Sequence, residues 1–230
     1  MTMGKKVPEV LMSIRESEEA LFAEWRLKDG NFYPDGAVDE EAYLQSQLKL
    51  LFVLKEVNDP SGEEWDLREF IREADRPESW NQLTRWVDGI RRLPEDIPWN
   101  KIVEVDQEKR RNTLRSIAVI NLKKSAGGHT TDSASLEKRA ARDQILLRKQ
   151  FLLYEPDLII CCGTSDLIHK FCLICEQPKW HSTSRGISFH EHRMGKYVVE
   201  YSHPAARCKS QLLYYGLIDA IREILISRTA

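Results

Sequence analysis

The chain has no apolar run approaching the ~20 residues that a membrane-spanning helix requires. Its opening stretch, MTMGKKVPEVLMSIRESEEA, also lacks the long apolar region of a secretory signal. These absences predict a cytoplasmic, intracellular protein with no membrane partner, nucleoid-associated if bacterial. No Ser/Gly-rich linker divides the 230 residues, so one domain with one substantial core is expected. Net charge is −2, from 34 Lys and Arg against 36 Asp and Glu, which excludes a polycationic tail protein but leaves room for local basic patches. The five cysteines are an odd number and read as reduced thiols rather than a disulfide framework. Cys172 and Cys175 form one CxxC, and no second pair completes a zinc or iron–sulfur ligand set. His181, His190 and His192 likewise lack accompanying metal ligands of recognisable spacing, so neither metal nor cofactor is expected. The GxSxG, GxxxxGK[ST] and GxGxxG signatures are all missing, which leaves a nucleophile-elbow hydrolase, a P-loop or a dinucleotide fold without positive support.

What the chain does have is four separated apolar runs that each end in polar, reactive side chains: LLFVLKEVNDP (Leu50–Pro60), SIAVINL (Ser116–Leu122), DLIICCG (Asp157–Gly163) and KYVVEYSHPA (Lys196–Ala205). Each is short and rich in residues suited to a strand buried on both faces. Ligands of open α/β sheets bind outside the carboxyl ends of the strands, so Glu56, Asn58, Asp59, Asn121 and His203 are expected to meet at one rim.

Amphipathic stretches separate the runs. A helix is predicted from about Pro8 to Arg26 and another from Asp39 through Leu44 and Leu48. Ser61 with Glu64 reads as a capping box that starts a helix directly after the first run. SWNQLTRWVDGIRRL, about Leu136 to Tyr154, HKFCLICEQ and about Cys208 to Ile226 also read as helical. Glu108-Lys109-Arg110-Arg111 reads as a solvated surface run, and QPKWHSTSRGISFHEHRMGK as a loop carrying a short hairpin. The alternation gives an α/β fold: a three-layer α/β/α sandwich around a central, mainly parallel four-stranded sheet, with an N-terminal helical extension over about 1–48.

In order, Val57-Asn58-Asp59-Pro60, Val119-Ile120-Asn121, Pro156-Asp157-Leu158-Ile159-Ile160-Cys161-Cys162-Gly163 and Ser202-His203-Pro204-Ala205 resemble the motif series of the uracil-DNA glycosylase superfamily. The resemblance spans roughly Leu50 to Ile226. Val57 stands where the family usually has Gly, Ala205 and Ala206 replace its Ser-Pro, and Arg207 lies near the place of a wedge Leu. The resemblance implies a divergent member, a DNA glycosylase that hydrolyses the N-glycosidic bond of a deaminated or modified base flipped out of single- or double-stranded DNA.

That chemistry builds positive charge on the sugar and negative charge on the base. Asp59 is placed to orient water or stabilise the oxocarbenium-like sugar, with Glu56 as the substitute carboxylate. His203 is placed to donate to the leaving base, and Asn121 to read its edge. Asn58 and Trp65 are candidates for substrate contact, Trp65 by stacking or else as core. Lys123, Lys124, Arg207, Lys209 and Ser210 are candidates for gripping DNA phosphates. The alternative is a catalytically inactive protein of the same fold that binds nucleic acid or a nucleotide. A third possibility, an unrelated α/β protein, is separable by whether Asp59, Asn121 and His203 converge.

Overall fold

In Leu50–Leu54 every side chain is buried, which requires cover on both faces of the strand. The computed structural model, describing residues 12–28, 31–59, 61–74, 78–128 and 130–226 with 78 and 79 in backbone alone, supplies it. In chain order the elements are α1 (Ile14–Arg26), β1 (Gly36–Ala37), α2 (Glu40–Leu44), β2 (Leu50–Leu54), α3 (Leu67–Glu73), α4 (Glu78–Arg91), α5 (Trp99–Ile102), α6 (Gln107–Leu114), β3 (Ala118–Asn121) and α7 (Ser133–Tyr154). There follow β4 (Leu158–Cys162), α8 (Ser165–Lys170), β5 (Trp180–Ser182), β6 (Ser188–Arg193), β7 (Lys196–Tyr201) and α9 (Ser210–Ile226). Pro60 of the first motif and the start of the expected first helix, Pro8 and Val10, lie outside the described residues.

The sheet has the order β1-β3-β2-β4-β7-β6-β5. Its four central strands, β3, β2, β4 and β7, are mutually parallel and are the four apolar runs. Seven strands rather than four is a correction. β1 is only two residues long and pairs antiparallel with β3, too short to show any periodicity. The Trp180–His190 region supplies β5 and β6, both antiparallel, as an extension of the β7 edge; its alternating polar residues are those of a half-covered edge.

Alternate residues of the parallel strands feed two cores. Leu50, Phe52, Leu54, Val119, Ile160 and Val199 pack with Ile71 of α3, Trp86 of α4 and Leu217 of α9. Leu51, Val53, Ile120, Ile159 and Val198 pack with Phe22 of α1, Leu147 of α7 and Ile168 of α8. Fully burying each such Val, Leu, Ile or Phe stabilises the fold by about 1.5–3 kcal/mol relative to exposure. Helix α1 starts at a capping box, Ser13 Oγ accepting from Glu16 N at 3.1 Å and Glu16 accepting from Ser13 N at 2.8 Å.

Four local expectations are corrected. The capping box of Ser61 and Glu64 does not form: Asp66 caps α3, accepting from Arg68 N, while Glu64 accepts from Phe32 N at 2.7 Å. Helix α2 stops at Leu44 rather than continuing through Leu48. Helix α8 ends at Lys170, and Cys172 adopts φ 50, so the CxxC lies in a turn. Arg110 is 6% exposed and donates to Ala74 O and Asn81 Oδ1, so it ties α6 to the α3–α4 connection instead of facing solvent.

Candidate active site at the carboxyl rim of the sheet

Parallel pairing brings the carboxyl ends of β3, β2, β4 and β7 to one rim, with Leu54 registered on Asn121 and Cys162 on Tyr201. Beyond the strands the connections stay laced. Lys123 N donates to Lys55 O at 3.0 Å, Gly127 N to Val57 O at 2.8 Å and Gly163 N to Tyr201 O at 2.8 Å. Asn58 is exposed and forms a parallel bridge with Gly127. Thr164 Oγ1 donates to Val53 O at 3.0 Å, pinning the connection after β4 onto β2.

Asp59 is gripped from four directions. Its Oδ1 accepts from Ser61 N at 2.9 Å and Ser61 Oγ at 2.8 Å; its Oδ2 accepts from Trp65 Nε1 at 2.8 Å and Tyr33 OH at 3.1 Å. The Ser61 backbone and hydroxyl donors, then the indole, hold its carboxyl at about 2. Burial and the bond to Asp59 push the Tyr33 phenol up to about 12, so this donor keeps its proton. A carboxylate offers roughly four lone-pair positions, and Asp59 has all of them occupied. It is therefore a fixed anion without a free acceptor position for water, which corrects the water-orienting half of its expected role.

Glu56 is no substitute. Its carboxylate accepts from Lys123 Nζ, its side chain is 4% exposed, and it packs so closely on Gly127 that a methyl group there would overlap the carboxylate. Lys123, bonded also to Ala126 O at 3.0 Å, is thereby withdrawn from phosphate. Lys124 is corrected more fully: its Nζ lies in the interior, 2.7 Å from both oxygens of Asp35 and 2.7 Å from Gln150 Oε1. Trp65 meets Tyr33 edge-on at 5.4 Å and Phe70 at 5.0 Å, so its rings belong to the core margin and its N–H to Asp59.

Asn121 is 2% exposed. Its backbone N–H donates to Asp35 Oδ2 at 2.7 Å, whereas its side-chain Oδ1 has no hydrogen-bond partner. A buried acceptor left unmade costs about 1–3 kcal/mol, a penalty that a ligand N–H would remove. His203 is half-buried, and its Nδ1 accepts from Ala205 N at 3.1 Å. That bond leaves the proton of the neutral ring on Nε2. Burial, and then the charge of Lys55, hold the imidazole below its ordinary pKa, so the neutral donor form is favoured.

Arg207 and Lys209 are exposed in the connection from His203 to α9, and neither has a carboxylate partner among the described residues. Ser210 opens α9, its carbonyl accepting from Gln82 Nε2 at 3.3 Å. The rim thus gathers a fixed anion, an unmatched amide oxygen, a neutral imidazole donor and two exposed cations. Clefts elsewhere, around Pro156, His192 and Lys196 and around Ser46, Arg91 and Ser116, open at the amino ends of the same strands and touch none of these residues.

Compared with protein-family models and with curated proteins, the chain matches none.

Sequence reasoning did not place Tyr33 or Lys55 among the site residues, and offered Lys55 only as a partner for Glu56, which Lys123 takes instead. Tyr33 lies 26 residues from Asp59 in sequence, in a stretch between the first two expected helices. Lys55 directly follows β2, but its neighbours do not reveal which charge it faces.

Proposed function

We propose that this chain is a DNA glycosylase that hydrolyses the N-glycosidic bond of a deaminated or modified base flipped from DNA. The observation that carries the reading is that the connections after β2 and β7, at the same end of the sheet, hold an anion kept ionised and a neutral histidine whose Nε2–H has no acceptor among the described residues. Breaking a base–sugar bond is helped by an anion at the sugar and a hydrogen-bond donor at the departing base. Asp59 faces the sugar as an electrostatic stabiliser, so the bond ionises first and water adds to the cation afterwards. His203 donates to the departing base. The unmatched Oδ1 of Asn121 accepts from the base's edge, and Arg207 and Lys209 take backbone phosphates. The four-motif resemblance to the uracil-DNA glycosylase superfamily supports the same assignment.

Base release from labelled single- and double-stranded oligonucleotides carrying uracil, hypoxanthine or 5-modified pyrimidines tests it. Asp59→Asn and His203→Ala are expected to slow release on the order of 10²–10³-fold with DNA retention unchanged. Arg207→Ala is expected to weaken retention and to reduce the salt slope by about one. A second reading, a binding protein without hydrolysis, is favoured by the full occupancy of Asp59 and the closure of Glu56 by Lys123. Salt-dependent retention with no release from any substrate would establish it instead.

A further inference from the structure

One charge at this rim is unassigned. Lys55 is half-buried, and no carboxylate among the described residues pairs with it, the adjacent Glu56 being taken by Lys123. Its side chain lies along Gly163, where a methyl group would stand 3.5 Å from Lys55 Cε and 3.9 Å from Nζ. Gly163 N–H donates to Tyr201 O at 2.8 Å, which brings the ammonium beside the strand end that carries His203. The imidazole senses it, since the charge of Lys55 adds to burial in lowering the pKa of His203. A cation without a counter-ion beside a hydrogen-bond donor is a place where an arriving anion is stabilised.

We propose that the Lys55 ammonium and the Nε2–H of His203 form one seat for the anionic oxygen of the departing base, which makes Lys55 a catalytic residue of the glycosylase reading on which this assignment rests. The C–N bond to the sugar breaks with its electron pair passing to the base, and an exocyclic carbonyl oxygen conjugated with that nitrogen carries the charge into the seat. Water bonds to the sugar carbon and loses a proton, and the base is later protonated from solvent. A backbone phosphate offers similar oxyanion chemistry, but Lys55 sits recessed between strand ends while Arg207 and Lys209 stand exposed.

The test compares wild type with Lys55→Met in single-turnover release from oligonucleotides carrying uracil or 5-fluorouracil, the latter ring being more acidic and leaving more readily as an anion. The variant is expected to slow uracil release about a hundredfold and 5-fluorouracil release only about tenfold, with DNA retention unchanged. Equal losses on the two bases overturn the seat. So does weaker retention with a shallower salt slope and an unchanged release rate, the signature of a phosphate contact. If wild type releases neither base, hydrolysis is judged on the full substrate panel, and the seat is judged separately by titrating both proteins with the 5-nitrouracil anion while His203 is followed by NMR. A shift in wild type that Lys55→Met abolishes sustains it, and no shift in either protein overturns it.

Discussion

Replacing Lys124 by Met separates an interior structural charge from a DNA contact. Lys124 and Asp35 are both 0% exposed in their side chains. The ammonium also sits over the Trp25 ring at 5.0 Å. Without it Asp35 keeps the Asn121 and Gln150 N–H donors, at 2.7 and 2.8 Å, but its charge is left uncompensated. Breaking a buried pair in this way costs about 3–5 kcal/mol. For a chain of this size each kcal/mol lowers Tm by about 2–4 °C, so a loss of about 6–20 °C is expected in calorimetry. Adding Asp35→Asn removes the stranded charge while keeping an amide in its place, so the double variant is expected to be more stable than the sum of the two single losses by over about 1 kcal/mol. The salt slope of DNA retention, measured well below the new Tm, is expected to stay at the wild-type value. A Tm change under about 2 °C, additive single and double losses, or a slope reduced by about one would each refute the reasoning.

Three further outcomes are expected. On the glycosylase reading base release requires neutral His203, so its rate is expected to fall as pH drops through the imidazole's lowered pKa; Asp59, held at about 2, adds no limb in that range. Losing the Lys55 charge moves this acid limb to higher pH, and a limb that does not move in Lys55→Met contradicts the adjacency. Burial holds His190 and His192 at about 4, against about 6.5 unfolded. The unfolded chain therefore binds more protons between these values, and stability falls as pH drops from about 6.5 to about 4. A His190→Gln, His192→Gln double variant whose Tm keeps the same pH slope in that window refutes the assignment. Gly127→Ala drives a methyl group into Glu56, whereas Gly128→Ala meets nothing within 4 Å. A loss of about 1–3 kcal/mol is expected for the first and little change for the second, and equal melting shifts would rule out the clash.

Fully apolar runs such as LIICC (Leu158–Cys162) can only be buried on both sides, so the central parallel strands and their helical cover were legible from composition and periodicity. That Asp59, Asn121 and His203 lie at or beyond the carboxyl ends of β2, β3 and β7 was legible for a related reason: parallel strands with crossover helices end at one edge. Periodicity failed where an element is very short, as in β1, or where a polar side chain takes a distant partner. The pattern Ser61 with Glu64 satisfies a capping rule, yet Ser61 serves Asp59 and Glu64 serves Phe32 N. Lys123 and Lys124 are adjacent and of one type. In the connection just past β3 they go to opposite destinations, one to Glu56 at the rim and the other to Asp35 inside. His181 and His190 separate by strand alternation, His181 stacking on Phe189 at 5.5 Å and His190 facing His169 at 5.6 Å. The sequence by itself determined the four central strands and the long helices α1, α4, α7 and α9, because burial periodicity is a local property. Which charges are buried, paired or free to meet a ligand was decided only by the tertiary structure, because each partner is brought in from a remote part of the chain.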